Sequence, residues 1–256
     1  MPEVYDRHLG AAVFRPFARD LARRAALLGP SRVLEIAAGT GVLTAELLAA
    51  SPGAQVTATD LNPAMVEAGA QRVPQARWQP ADASDLPFPD GAFDLVVCQF
   101  GVMFLPDKPR AYREFARVLA PGGHVLVNTW DRIETHGFDR VVVEALERVF
   151  PGDVPPFLAK VPHGYADPEI VRGHLQEAGY QVDLVETVML EGHAASAADV
   201  ATGFCTGTPL RGEILARSDL DATTSTMRTE MTALLGDGPV SARMSAHVVL
   251  ALPVRR

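Results

Sequence analysis

The chain has 256 residues, 48% of them hydrophobic and 21% charged, which is an ordinary globular composition for one large domain. Its formal net charge of −8 argues against a nucleic-acid substrate, because a nucleic-acid-binding surface needs clustered Lys and Arg. The first residues form no signal peptide, no apolar run approaches the ~18 residues of a membrane span, and neither Cys98 nor Cys205 has metal-ligand spacing, so we expect a cytoplasmic protein without a metal.

Short β-branched runs alternate with Ala-rich and Leu-rich segments through the first half of the chain. The predicted strands lie at residues 32–36, 55–59, 76–79, 93–98 and 124–129. The predicted helices lie between these strands, at residues 42–50, 63–72 and 109–119, and the segment 120–123 ends the last helix. This alternation predicts an α/β fold, doubly wound and Rossmann-like, with a mostly parallel sheet.

After Trp130 the pattern is looser. Helices are predicted at residues 138–149 and 167–178, and strands at residues 180–186 and 246–252. We expect a single domain over residues 1–256 with four parts: an N-terminal helical segment or lid at 1–29, a ligand-binding core at 30–130, helical insertions with the sixth strand at 131–245, and the last strand at 246–252. The insertions are expected on the substrate side, since such segments often carry specificity.

The sequence LEIAAGTG, residues 34–41, joins the first strand directly to the following helix. Gly39 and Gly41 allow a positive φ and a close approach of ligand to backbone, and a helix N-terminus presents unpaired N–H groups. A dinucleotide fingerprint would place its third Gly or Ala where Thr44 stands, and no Gly-Lys-Ser/Thr follows as in a Walker A loop. The bend indicates a ligand-binding edge, with a purely structural turn as the alternative.

Two aspartates follow neighbouring predicted strands. Asp60 ends VTATD, nineteen positions after Gly41, where a carboxylate can accept hydrogen bonds from both ribose hydroxyls of an adenosine group. Its alternative role is to cap the next helix, but Asn62, directly before Pro63, is better placed for that. Asp82 follows the third strand, where it can take the adenine amino group. The two aspartates and the bend together predict an adenosine-shaped site.

Four stretches together resemble the class I S-adenosylmethionine-dependent methyltransferases, in the small-molecule branch that includes the ubiquinone and menaquinone biosynthesis enzymes. They are VLEIAAGTG, ATDLNPAMVEAG, ADASDLPFPDGAFDLVVCQFGVMFLPD and REFARVLAPGGHVLVNTW, all within about residues 30–130. The resemblance implies a seven-stranded sheet with an antiparallel last strand, S-adenosylmethionine as cofactor and S-adenosylhomocysteine as product. The first motif of the family is acid-x-Gly-x-Gly-x-Gly, and this chain departs from it with Ala37 at the first glycine.

The resemblance also implies cofactor contacts. On the family pattern, Glu35 and the glycine bend face the methionine part, Asp60 takes the ribose hydroxyls, and Asp82 takes the adenine edge. Gln99 and Phe100 line the site beside the reactive methyl group. The full set of residues implied in cofactor binding is Glu35, Ala37, Gly39, Gly41, Asp60, Leu61, Met65, Asp82, Ala83, Gln99 and Phe100.

Methyl transfer from a sulfonium is an in-line displacement on an activated carbon, so the main requirement is alignment of nucleophile, methyl and sulfur. A general base is needed only where the nucleophile arrives protonated. His8 and His163 lie in segments that can cover the cofactor, and Tyr165 is a third candidate, but the sequence assigns the role to none of them. The acceptor, the attacked atom and the oligomeric state, a homodimer included, are not determined by the sequence.

Two other functions are alternatives. A nicotinamide-dependent oxidoreductase is disfavoured by Thr44 and by the absence of a Tyr-x-x-x-Lys proton relay. A catalytically silent S-adenosylmethionine-binding protein has its only support in Ala37. Nucleic-acid methyltransferases resemble one another in an Asn/Asp-Pro-Pro or a Pro-Cys sequence after the fourth strand, where this chain reads CQFGVM. The sequence therefore favours a methyltransferase that acts on a small molecule.

Overall fold

The computed structural model describes residues 2–254; Met1, in the predicted N-terminal segment, and Arg255 and Arg256, after the last strand, lie outside the described residues. The strands are β1 (Arg32–Ile36), β2 (Gln55–Asp60), β3 (Arg77–Pro80), β4 (Phe93–Gln99), β5 (Leu119–Trp130), β6 (Tyr180–Ala194) and β7 (Val240–Pro253). The α-helices are α1 (Pro2–Tyr5), α2 (Arg15–Leu27), α3 (Val42–Ala50), α4 (Pro63–Arg72), α5 (Lys108–Val118), α6 (Gly137–Val149), α7 (Phe157–Lys160), α8 (Pro168–Glu177), α9 (Ala197–Gly207), α10 (Leu210–Leu215) and α11 (Leu220–Leu235). A π-helical segment, Asp6–Phe14, joins α1 to α2.

The seven strands form one sheet in the order β3-β2-β1-β4-β5-β7-β6. The strands from β3 to β5 are parallel, and β7 runs antiparallel to β5. The predicted fold class is therefore confirmed. The strand order reverses between β1 and β4, and ligands of open α/β sheets bind at the carboxyl ends of the strands on either side of such a reversal.

Strand β5 begins five residues earlier than predicted, because Ala120–Gly123 is part of the strand and does not form the turn we expected. Leu119 pairs with Phe93, and the register then shifts so that His124 pairs with Leu95. The intervening residues form a bulge, and a side chain at Gly123 would lie 2.9 Å from the carbonyl oxygen of Asp94. A Pro-Gly-Gly sequence suits a turn as well as it suits a bulged strand, so the local sequence alone does not distinguish the two.

Strands β6 and β7 are also longer than their predicted ranges. The residues added to β6 include exposed positions such as Glu191, and β6 is an edge strand of the sheet. A half-exposed edge strand carries polar side chains that an apolar run does not reveal. The residues added to β6 (187–194) and to the start of β7 (240–245) mix apolar and polar side chains, so no apolar run in the sequence marks them as strand.

Cα proximity divides the chain into two compact units. The sheet unit comprises Ala18–Trp130, Tyr165–Val188 and the residues from Ala246 onward. Its core includes the fully buried Leu34, Leu95 and Leu126 from three adjacent strands. The apolar β4 suits a strand that is covered on both faces.

The helical unit comprises the residues before Ala18, Asp131–Gly164 and Met189–Ser245. Helix α9 packs against α11 and the N-terminal segment. A side chain at Gly203 would lie 2.7 Å from Leu9, so glycine permits this close approach. No helix of residues 2–254 is long and apolar enough to cross a membrane.

Candidate active site

Glu35 lies near the carboxyl end of β1, between β2 and β4, and is 1% exposed. The hydroxyl of Thr44, in the first turn of α3, donates a hydrogen bond of 2.6 Å to the Glu35 carboxyl group. Burial raises the pKa of Glu35 to about 8; the Thr44 hydrogen bond opposes this rise and the charge of Asp60 adds to it. Glu35 is therefore mostly protonated at pH 7. The sequence marks Thr44 only as a departure from the dinucleotide pattern; a hydroxyl in the first turn of the helix that follows a strand-ending acid is the signal for this contact.

The bend after β1 contains three left-handed residues: φ is +53° at Ala37, +57° at Gly39 and +85° at Gly41. Asp60, at the end of β2, holds this bend, because one of its carboxylate oxygens accepts the Gly39 N–H at 2.9 Å. The other oxygen accepts the Asn62 N–H at 2.9 Å. The helix cap is Asn62, which accepts the N–H of Ala64 as the sequence predicted. Asp60 is thus a link between β2 and the bend.

Ala37, the departure from the family motif, faces the loop that follows β4. A side chain at Gly101 would place its Cβ 2.5 Å from the Ala37 Cβ and 2.6 Å from the Cys98 Sγ. Such distances are too short for real carbon atoms. The Ala37 methyl group is therefore accommodated by the glycine at position 101, a match that only the fold brings together.

Phe100 follows β4 with a φ of +51°, which is rare for a bulky residue. Its N–H donates a hydrogen bond of 2.9 Å to the side-chain oxygen of Asn128 on β5. Its ring stacks on Trp130, with the ring centroids 3.5 Å apart and the planes 9° apart. Gln99 pairs with Asn128 in the sheet. Sequence analysis placed Gln99 and Phe100 in the site and missed Asn128 and Trp130, whose signal is a polar and an aromatic residue at the end of an apolar strand.

The residues assigned to the adenine lie beyond the ends of β2 and β3. Leu61 is 72% exposed, which is unusual for a large apolar side chain, and Met65 is half-buried. Asp82 is exposed and accepts the N–H of Ser84 at 2.8 Å, while Ala83 is buried. Since Asp60 pairs with Pro80, Asp82 stands two residues beyond the strand partner of Asp60. The sheet therefore brings the two aspartates to adjacent strand ends.

His163 lies in the helical unit, and both of its ring nitrogens contact oxygen atoms. Nδ1 lies 2.6 Å from the Asp131 carbonyl oxygen, and Nε2 lies 2.6 Å from the Asp139 carboxylate. Burial opposes a charge on His163, but the hydrogen bond and charge of Asp139 and the Asp131 carbonyl raise its pKa. The pKa of Asp139 is lowered by its two histidine neighbours against the effect of burial. The two short contacts to oxygen atoms and both pKa directions favour an imidazolium and a carboxylate, with each ring N–H donated within the protein.

The other two candidate bases also have partners in their own units. His8, in the helical unit, lies 3.1 Å from Asp199. Tyr165, in the sheet unit, is 4% exposed and lies 2.9 Å from a ring nitrogen of His174, and burial raises its pKa to about 12. In the described part of the chain, no group of three or more His, Cys, Asp or Glu side chains is placed to hold a metal ion.

Comparison with known proteins gives concordant matches. A family model described as a methyltransferase domain matches residues 34–127. A demethylmenaquinone methyltransferase of Thermus thermophilus is 38% identical over 142 residues, which are 54% of this chain and 63% of that protein. A demethylmenaquinone methyltransferase of Mycolicibacterium vanbaalenii is 36% identical over 175 residues, which are 64% of this chain and 75% of that protein.

Among solved structures, phosphoethanolamine N-methyltransferase 2 of Haemonchus contortus, in complex with S-adenosyl-L-methionine, superposes with a TM-score of 0.60. Its sequence is 17% identical, and the match covers 99% of this chain and 57% of that one. At this identity the similarity concerns the fold alone. The chain spans slightly less than two thirds of the Thermus relative and three quarters of the Mycolicibacterium relative.

Proposed function

We infer the reaction from one premise: the chain belongs to the class I S-adenosylmethionine-dependent methyltransferases, in the group that includes the demethylmenaquinone methyltransferases. It transfers a methyl group from S-adenosylmethionine to a small molecule. When bound, S-adenosylmethionine supplies a methyl group on a positively charged sulfur. The roles of individual residues and the choice of acceptor, given below, are our proposals.

The observation that carries the cofactor assignment is the hydrogen bonding of Asp60. Each of its carboxylate oxygens accepts one backbone N–H, from Gly39 and from Asn62. A carboxylate oxygen has two lone pairs, so each oxygen keeps the capacity to accept one ribose hydroxyl. We propose that Asp60 holds the bend and the ribose together.

The neighbouring residues fit the rest of the cofactor. At Gly39 nothing lies within 4 Å of the position that a side chain would take, so a ligand can approach the backbone closely. The exposed Leu61, with Met65, offers an apolar surface to the adenine, and Asp82 and Ala83 border its edge. We assign Glu35 to the methionine end, where the ligand carries positive charge.

We propose that the protein acts mainly by alignment, with Gln99 and Phe100 beside the reactive methyl group. His8, His163 and Tyr165 are each hydrogen-bonded or ion-paired within the protein, so we assign none of them as a general base. A nucleophile that arrives ionised needs no such base. We therefore expect the turnover rate to depend on the ionisation state of the acceptor.

We propose a quinone-derived acceptor of the demethylmenaquinone type, because both relatives carry that activity in their names. We also propose that the protein is cytoplasmic and that it does not act on nucleic acid; the net charge of −8 supports the second of these. The assay is methyl transfer from labelled S-adenosylmethionine to reduced demethylmenaquinone, with phosphoethanolamine as the comparison acceptor. Methylation of phosphoethanolamine alone would overturn the acceptor and leave the methyltransferase activity intact.

The cofactor assignment is tested by calorimetry with S-adenosylhomocysteine and with NAD. We expect binding of S-adenosylhomocysteine only, and at least about a 100-fold loss of affinity in Asp60→Ala, since two hydrogen bonds to a charged group are lost and each is worth about 1.5–3 kcal/mol. Asp183→Ala, at an exposed position of β6, is the matched control. Unchanged affinity in Asp60→Ala contradicts the ribose assignment, and binding of NAD alone contradicts the whole site.

A further inference from the structure

The left-handed conformation of Phe100 needs an explanation, because an aromatic residue rarely adopts it. Three neighbours constrain it. The Asn128 side-chain oxygen accepts the Phe100 N–H at 2.9 Å, and the Asn128 carbonyl oxygen lies 3.3 Å from the same nitrogen. On the other side, Gly101 is packed against Ala37 without room for a side chain. The conformation is therefore imposed by the surrounding structure.

Asn128 is well suited to hold this conformation. It is 1% exposed, and it pairs with Gln99 at the point where β4 ends. Its amide orientation follows from chemistry, because the Phe100 N–H is a donor and must face the amide oxygen. Among the described residues, its amide nitrogen has no hydrogen-bond partner, so the hydrogen bond to Phe100 is the one that fixes this side chain.

Asn128 also stands on the same face of β5 as Trp130, since side chains two residues apart in a strand share a face. Trp130 is 4% exposed and stacks on the Phe100 ring. Two positions of one strand thus hold the backbone and the ring of the same residue. A change at Asn128 should therefore move the aromatic pair without removing either ring.

We propose that Asn128 is a positioning residue: by accepting the Phe100 N–H, it keeps residue 100 left-handed and fixes the Phe100–Trp130 pair at the methyl-transfer site. The proposal rests on the proposed function in placing Phe100 beside the reactive methyl group. Asn128 acts through Phe100 and need not touch cofactor or acceptor. Its removal should lower turnover more than cofactor affinity.

The test uses the full chain labelled with 5-fluorotryptophan, whose two tryptophans are Trp78 and Trp130. In Asn128→Leu, which keeps the volume and removes the acceptor atom, we expect the Trp130 fluorine signal to shift and the Trp78 signal to stay. With reduced demethylmenaquinone as the probe, turnover should fall at least 10-fold, while S-adenosylhomocysteine affinity changes less than threefold. Asn128→Asp, which keeps an acceptor oxygen, should restore both the signal and the turnover.

The matched control is Thr129→Val, an equally buried neighbour on the opposite face of β5. It should leave the Trp130 signal and the turnover unchanged. An unmoved Trp130 signal in Asn128→Leu, or an equal loss of turnover in both variants, overturns the proposal. Wild-type protein that binds no S-adenosylhomocysteine overturns the proposed function instead, and the fluorine signals still decide the role of Asn128.

A double-variant experiment covers the case in which Asn128→Leu alone does not fold. Phe100→Gly makes the left-handed conformation accessible without help from Asn128. In that background, Asn128→Leu should fold and lower the melting temperature by less than half of what it costs the wild-type protein. An equal or larger loss in the Phe100→Gly background would show that Asn128 does not act through the backbone of residue 100.

Discussion

Replacing Glu35 by Gln tests our proposal that this side chain lies at the methionine end of the cofactor. Burial, against the Thr44 hydrogen bond and with the charge of Asp60, raises the pKa of Glu35 from 4.5 to about 8. At pH 7 the protonated form therefore exceeds the carboxylate by about 10 to 1. A ligand that carries an ammonium group favours the carboxylate, so binding must displace the proton.

The expected consequence is that affinity for S-adenosylhomocysteine rises with pH, by up to about tenfold per unit below pH 7, and levels off as pH passes 8. At pH 7 nearly one proton should be released for each ligand bound. Calorimetry in buffers of different ionisation enthalpy measures that proton directly. In Glu35→Gln both the pH dependence below 8 and the proton release should disappear.

Protein stability gives an independent check of the same pKa. Because the folded pKa of Glu35 lies above its unfolded value, the folded state binds the extra proton between about pH 4.5 and 8, and stability falls as pH rises through that range. The slope from this group is about 1.4 kcal/mol per pH unit, and it should be absent in Glu35→Gln. A wild-type slope that Glu35→Gln leaves unchanged, together with binding that takes up or releases no proton, would refute the assignment of a raised pKa.

Three further predictions concern the supports of the site and the helical unit. Thr44→Val removes a hydrogen bond that lowers the pKa of Glu35, so S-adenosylhomocysteine should bind more weakly at pH 7 and regain affinity at higher pH than in the wild type. Gly101→Ala should cost about 2 kcal/mol in urea unfolding, and less in an Ala37→Gly background, because the two Cβ atoms would lie 2.5 Å apart. His163→Gln leaves the buried Asp139 carboxylate without its cation and should cost about 3 kcal/mol. Since the folded pKa of His163 is raised, that cost should shrink as pH rises above 6.5; a cost that is constant with pH contradicts the ion pair.

The part of the fold that was predictable is the part in which short runs of β-branched and other apolar residues alternate with Ala-rich and Leu-rich helices. Strands β1, β2 and β4 are buried runs, and the cap at Asn62 follows from a rule about the residue before a first-turn proline. The bulge in β5 was not predictable, because its Pro-Gly-Gly sequence suits a turn, and its pairing depends on a residue of β4.

In the site, the sequence indicates residues that stand at strand ends and misses their partners. Asp60 was identified from its distance to the bend, but its hydrogen bond to Gly39 exists only once β1 and β2 are paired. Asn128 and Trp130 lie 28 and 30 positions from Phe100, and no local pattern links them. The cofactor contacts stay predictions until a bound structure or the affinities above test them.

The two non-glycine residues with left-handed backbone among residues 2–254, Ala37 and Phe100, both lie at this edge of the sheet. Each has a distant residue that makes its conformation tolerable: Gly101 leaves room for the Ala37 methyl group, and Asn128 binds the Phe100 N–H. Backbone strain persists where the surrounding structure determines it and where a site needs fixed geometry. Ala37 therefore does not by itself indicate a lost activity, because its compensation at Gly101 is intact. On this argument, Ala37 and Gly101 belong to one arrangement, and a side chain at position 101 should be better tolerated when position 37 is glycine.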